Sequence, residues 1–297
     1  MIVRLLALLF CLYFSAPVLL ANATSTGNEL FRLGFSTSLF TDVDENDAKA
    51  AMKVWGQVVG KARNIPIDAD ASIYHSADDV LAALQSRQID AVGITTVEYF
   101  QIYKKTELAR FFVTRNSGSL TEKFILLAHR DGAVKSLADL NGRNLHVYEN
   151  ARTSLATVWL NNTLYQKGQG RLEKLAGSLQ KHKKLANTVL PVFFRQVDAC
   201  LVTRSGFDVM TELNPQLGQA LMVVAESEDV VPAIFVFRKD YQPTFLEELV
   251  AGLNELDQSS AGQQILNLFN SDGIEERPRE ELDLALDMLE KHENLPL

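Results

Sequence analysis

Cysteine is nearly absent: 297 residues hold two, Cys11 and Cys200. Histidine is scarce, and neither CxxC, HExxH nor any clustered His/Cys spacing occurs. A structural metal is therefore not expected. The chain also lacks a basic excess, with 29 Lys and Arg against 37 Asp and Glu and a net charge of -8. That balance excludes a generic nucleic-acid binder, which needs cations to neutralise phosphates. A local anion site is not excluded, because a few placed donors suffice. Catalytic signatures are missing too. Ser205-Gly206 follows Thr203-Arg204 without the glycine that a nucleophile elbow places two before the serine. There is no P-loop, no GxGxxG opening a helix, and no carboxylate pair whose spacing singles it out. No enzyme activity and no cofactor are expected. Solenoid-period repeats and low-complexity tracts are also lacking.

The first 23 residues stand apart. Arg4 is their only charge, Leu5 to Leu20 is almost wholly apolar, and Ala21-Asn22-Ala23 closes the segment. This is the pattern of a secretory signal peptide cleaved after Ala23. Cys11 follows Phe10, which does not match a lipoprotein processing site. The expected mature chain is a soluble periplasmic monomer with one cysteine, Cys200, and hence no intramolecular disulfide. Cys200 lies in the apolar run Ala199-Cys200-Leu201-Val202, the expected place of a buried strand residue.

From Leu30 onward the pattern alternates. Leu30 to Phe35 reads as a strand. Asp44 caps a helix in which Ala48, Ala51, Met52, Trp55, Val58 and Val59 recur at helical spacing. Asn64-Ile65-Pro66 ends it, and Ile67 to Ile73 alternates like a strand. Ser76 caps a second helix, Ile89 to Ile94 is a third strand, and a helix carrying Tyr99 and Phe100 follows. The middle of the chain repeats the theme, with strands at Phe124 to Ala128, Leu145 to Tyr148, Ala199 to Val202 and Leu221 to Ala225. Arg171 to Lys184 reads as a polar, basic stretch. Ile234 to Phe237 reads as a returning strand, and the last sixty residues as helical. Such alternation predicts α/β layers with largely parallel sheets, and ligands beyond their C-terminal strand ends. The hydroxyl-rich segments Ser36-Thr37-Ser38 and Thr95-Thr96 fall at two such ends, and hydroxyls donate well to anionic oxygens. Two similar units joined by two extended crossovers predict two lobes and a ligand cleft between them.

Three stretches then carry a resemblance: Leu84-Gln85-Ser86-Arg87-Gln88-Ile89-Asp90-Ala91-Val92, Ser136-Leu137-Ala138-Asp139-Leu140-Asn141-Gly142 and Val192-Phe193-Phe194-Arg195-Gln196-Val197-Asp198-Ala199-Cys200. In these the chain resembles the phosphate/phosphonate-type substrate-binding proteins of ABC transporters, over roughly Leu30 to Phe237. The resemblance implies a type II periplasmic-binding-protein fold, with two Rossmann-like α/β lobes joined by a two-strand hinge. The expected divisions are a signal peptide over 1–23, lobe 1 over 24–126, lobe 2 over 127–235, and a helical return to lobe 1 over 236–297. The implied function is capture of a small anion for an ABC permease. The alternative is a sensory subunit of the same fold that signals to a membrane kinase or cyclase.

The family's second-lobe anion site uses a Ser/Thr-rich turn at a helix start, and Arg152-Thr153-Ser154 matches it. A helix start offers free N–H groups and a partial positive charge, and Arg152 adds a bidentate fork. The competing reading makes Thr153 a cap and Arg152 a solvated side chain. Leu155 stands where the family's turn ends in glycine. Thr203, with Arg204 beside it, stands where a carboxylate often meets a ligand amine, and the exchange favours a purely anionic ligand. Tyr99 matches an aromatic position near the ligand, although helix-core packing would explain it equally. Phe40 is a candidate cleft wall, and Tyr148 ends a strand on the cleft side. Asp198 is expected to be a turn residue rather than a ligand contact.

Overall fold

The computed structural model describes residues 30–40 and 43–296, so the expected signal peptide lies outside the described residues. Two sheets organise the chain. The first contains β1 (Leu33–Ser36), β2 (Ser72–Tyr74), β3 (Ala91–Thr95), β4 (Leu108–Arg115), β10 (Ala233–Arg238) and β11 (Gly273–Arg277), in the order β11-β4-β10-β3-β1-β2. The second contains β5 (Phe124–His129), β6 (Asn144–Tyr148), β7 (Ser178–His182), β8 (Ala199–Thr203) and β9 (Leu221–Glu226), in the order β7-β6-β8-β5-β9. Each sheet has three parallel strands, β2-β1-β3 in one and β7-β6-β8 in the other. Beside them lies an antiparallel strand that the chain enters directly after crossing over, β10 in lobe 1 and β5 in lobe 2. The sheets are thus built on one plan.

The chain passes between lobes at 116–123 and again at 227–232. The two crossings pair at Glu122 and Val230, with N–H···O bonds of 2.8 and 3.0 Å in the two directions. Thr96 fastens the second crossing to lobe 1: its N–H donates to Pro232 and its hydroxyl to the Val231 carbonyl at 2.6 Å. A buried threonine at the start of a helix therefore serves the hinge.

Local signals explain the helices. Asp44 accepts from the Asn46 N–H at the start of Glu45–Arg63, with Glu45 and Asp47 favouring the positive end of the helix dipole. Asn64 closes that helix in the left-handed region, φ 53°, as asparagine tolerates. Met52 and Trp55 bury the inner face against β1 and the helices Leu246–Asn254 and Ser260–Leu268. Cys200 is fully buried in the lobe-2 core, and burial pushes its thiol far above the ordinary value.

Several segments differ from expectation. The polar stretch 171–184 contains β7, the closing sixty residues contain β11, and β4 was not foreseen. Ser136–Gly142, whose closing glycine suggests a short helix, holds a 3-10 turn, Leu137–Leu140. The alternating run 67–73 yields one bridge, Phe31 to Ile67, and the short β2. The helix Asp283–Glu293 joins both lobes: Leu286 packs with Tyr99 and Ile102, while Ala285, Met288 and Leu289 pack with Trp159, Leu160 and Leu164. Asn162 adds a 2.7 Å bond to the Met288 carbonyl. No described helix is long and apolar enough to cross a membrane.

Candidate ligand-binding site

A cleft of about 390 Å³ lies between the lobes. Lobe 2 lines it with Tyr148, Asn150, Ala151, Arg152, Thr203 and Ser205, and lobe 1 with Leu39 and Phe269. Asn116 and Ser117, from the first crossing, also line it.

Arg152 is the cation of this cleft. Its Nε donates to Glu122 Oε2 at 3.1 Å, and the two side chains are only 13 and 3 % exposed. Ser205 donates to the same carboxylate, 2.9 Å from either oxygen. Glu122 belongs to the hinge pairing, so the guanidinium is anchored to the crossing itself. Its Nη1 and Nη2 have no hydrogen-bond partner among the described residues. A buried ion pair of this kind fixes orientation more than it stabilises the fold.

The turn before Arg152 is a reciprocal cap. Asn150 Oδ1 accepts from the Thr153 N–H at 3.0 Å, and Thr153 Oγ1 accepts from the Asn150 N–H at 2.8 Å. The cap is therefore Asn150, with buried Thr153 returning the bond. A 3-10 turn, Ala151–Thr153, precedes the α-helix Ala156–Gln166. The Ser154 hydroxyl is buried with no partner among the described residues. Leu155 is fully buried in the lobe-2 core, so the side chain at the family's glycine position is withdrawn from the cleft.

Thr203 caps the helix Arg204–Leu213, its Oγ1 accepting from the Gly206 N–H at 3.2 Å. A Cβ on Gly206 would sit 2.7 Å from that oxygen, so glycine keeps the cap intact. Arg204 does not line the cleft. It pairs with Glu226, and more loosely with Asp208 at 3.8 Å.

Lobe 1 uses its hydroxyls internally. Ser36 and Ser38 both donate to Oε1 of Glu98, Ser38 at 2.9 Å. The Thr95 N–H and hydroxyl donate to Oε2, each at 2.9 Å. Glu98 is 8 % exposed. The chain's own carboxylate thus occupies a pocket of donors suited to an anion. Thr37 belongs to the 3-10 turn Thr37–Leu39 that Ser36 caps. Phe40 packs on Phe35 and Phe269 rather than standing alone on the cleft wall. Tyr99 sits in the lobe-1 core, edge-on to Phe111. Burial pushes its hydroxyl pKa up against the opposing pull of Arg279. Asp198 accepts from the Asn144 N–H at 2.9 Å, tying β8 to the start of β6.

Sequence reasoning found Tyr148, Arg152 and Thr203 of the cleft lining. It missed Asn150, Ser205, Leu39 and Phe269, and also Glu122, which holds Arg152. Asn150 was detectable, since Asn-x-x-Thr is a cap with a reciprocating partner.

The family model for "ABC transporter, phosphonate, periplasmic substrate-binding protein" matches residues 38–281. The chain belongs to this family. A search of curated proteins finds no match. Among solved structures, XAC2383 from Xanthomonas citri bound to ATP has a TM-score of 0.65 at 15% identity, over 90% of this chain and 98% of that one. PhnD1 from Prochlorococcus marinus MIT 9301, in complex with methylphosphonate, gives 0.60 at 14%, over 90 and 100%. The periplasmic aliphatic sulphonate binding protein SsuA from Escherichia coli gives 0.51 at 13%, over 90 and 94%. These likenesses support the two-lobed binding-protein fold. Family membership makes the chain a periplasmic substrate-binding protein of an ABC transporter, and carries transport over signalling.

Proposed function

We propose that the protein, exported through a cleaved leader, captures a small oxyanion of the phosphonate or sulfonate type between its lobes and delivers it to its permease. The observation that carries this reading is Arg152: a shielded guanidinium in the cleft, held through Nε by Glu122, with its terminal nitrogens unpartnered among the described residues. That geometry leaves the forked end to meet an oxyanion. Tyr148, Asn150 and Ser205 line the same cleft and supply further polar groups. Leu155 is buried and does not obstruct a tetrahedral head group.

The hydroxyls of Ser36, Ser38, Thr95 and Thr96 act from behind. They hold Glu98 and the second crossing, and shape lobe 1 rather than touching the ligand. Closure follows from the hinge at Glu122 and Val230, provided the ligand binds the closed state more tightly than the open one.

Ligand that binds only the folded state raises stability by about 2.7 kcal/mol at a hundredfold excess over Kd. Thermal melts with phosphate, phosphite, alkylphosphonates, alkylsulfonates and carboxylates therefore test the reading. At least one tetrahedral oxyanion is expected to raise the Tm. No shift with any of them would overturn it.

A further inference from the structure

A second cavity, of about 80 Å³, opens off the cleft into the body of lobe 1. Its walls are apolar: Leu33 and Phe35 of β1, Met52 and Trp55 of the first helix, and Leu256 and Ile265 further along the chain. Leu39, Ala151, Arg152 and Phe269 line both spaces, so the two adjoin. The shared rim includes the cation of the cleft.

Three features separate this space from an ordinary packing defect. Close-packed interiors leave few voids larger than a water molecule. This one is about half the ~150 Å³ of a cavity that stays dry and takes benzene, and so suits a substituent of about three carbon atoms. It is joined to a polar cleft through residues of both lobes, as a ligand annex would be. It is also kept open by sequence: at Gly93, on its wall, a Cβ would lie 2.6 Å from the Phe35 ring and 3.1 Å from Leu39 Cδ1. A larger residue there would drive both side chains into the space.

We propose that this cavity is the seat for a short apolar substituent of the bound oxyanion, whose charged head lies at Arg152. The preferred ligand is then an alkyl oxyanion of about three carbons, rather than inorganic phosphate or an aminoalkyl compound. Thr114 is the one hydroxyl on a lining that is otherwise apolar beyond Arg152, and no carboxylate stands there, so desolvating an ammonium group would be costly. The assignment rests on the oxyanion reading above.

Calorimetric titration of the purified protein with methyl-, ethyl-, propyl-, butyl- and 2-aminoethylphosphonate tests it. Affinity should rise roughly three- to fourfold per methylene from methyl to propyl, as buried apolar area does, and level off or fall at butyl. Propylphosphonate should bind at least tenfold more tightly than 2-aminoethylphosphonate, which has the same shape with an ammonium in place of the terminal methyl. Ala233→Leu, which fills the cavity, should bring the propyl-to-methyl ratio close to one. Leu256→Ala, which enlarges it, should move the best chain length upward. A flat or falling series in the native protein, or equal binding of the amino compound, would overturn the annex while leaving oxyanion capture standing. Absence of binding by every member would overturn both.

Discussion

The two lobes share a five-residue corner and use its aspartate differently. In lobe 1 it is Arg87-Gln88-Ile89-Asp90-Ala91, in lobe 2 Arg195-Gln196-Val197-Asp198-Ala199. The leading arginines have φ of 56° and 58°, in the left-handed region that glycine adopts most readily. Each aspartate accepts the backbone N–H at the start of the neighbouring parallel strand, from Arg32 at 3.0 Å and Asn144 at 2.9 Å. There the likeness ends. Asp90 is fully buried and bridges Arg32 and Arg238, each at 2.9 Å, and Arg238 continues to Asp240. Asp198 is partly exposed, with one arginine, Arg143, at 3.8 Å. The contrast recurs at the cleft. Lobe 1 encloses a carboxylate, Glu98, among its own hydroxyls, whereas lobe 2 presents Arg152. Lobe 1 thus satisfies its charges internally and contributes an apolar cavity. Lobe 2 places the Arg152 guanidinium on the cleft.

The sharpest way to break this comparison is at the two aspartates. Asp90→Ala leaves Arg238 buried without its main partner and should cost about 3–5 kcal/mol. Asp198→Ala loses one exposed-side bond and should cost about 1 kcal/mol. Urea unfolding of both variants measures the difference, and equal losses would refute the claim that only lobe 1 is clamped. Next in size is the cleft cation. Arg152→Ala should weaken oxyanion binding roughly 10- to 150-fold, the loss of about 1.5–3 kcal/mol that hydrogen bonds to charged groups carry. Arg204→Ala, whose partners are Glu226 and Asp208, should change affinity less than twofold. Titration of both variants decides which arginine meets the ligand. Smaller again is Glu98→Gln. The amide nitrogen would face donors, and a loss of about 1–2 kcal/mol in thermal or urea unfolding is expected. No loss would mean that the hydroxyl cluster does not depend on the carboxylate.

The alternating layers and the two lobes were legible because the central strands are continuous apolar runs. β3 and β8 are buried on both faces, and the runs Ile89 to Ile94 and Ala199 to Val202 read as strands that the structure places at Ala91–Thr95 and Ala199–Thr203. β7 and β11 were not legible, for a shared physical reason. Each is the edge of its sheet. Edge strands carry polar and charged residues that discourage further pairing, so Ser-Leu-Gln-Lys-His and Gly-Ile-Glu-Glu-Arg show little apolar alternation. At the site, Arg152 could be found because a helix start beside an arginine is a local signal. Its partner Glu122 lies 30 residues away on the crossing, and only the folded chain brings the two together. Ser36 and Thr95 were correctly seen at strand ends. What they bond, Glu98, depends on packing that local pattern does not encode.

The last contrast concerns acid. His146 of β6 lies against His182 of β7, ring centroids 4.2 Å apart, and its Nδ1 is 3.3 Å from the Asn187 carbonyl. Burial first, and the neighbouring His182 second, hold its pKa below the ordinary 6.5. His292, on the helix joining the lobes, is also held low, by burial first and then by Arg171. Below the ordinary value the unfolded chain takes up protons that the folded chain resists, so stability rises with pH across this window. It is therefore fully present above about pH 6.5, and is lost progressively as pH falls from there toward the depressed folded values. Urea midpoints should be flat from pH 8 to 7 and decline below 6.5. The decline should be shallower in His146→Asn, and shallower still when His292→Asn is added. An unchanged slope in the double variant would place the acid sensitivity elsewhere, and would remove lobe 2 and the joining helix as its source.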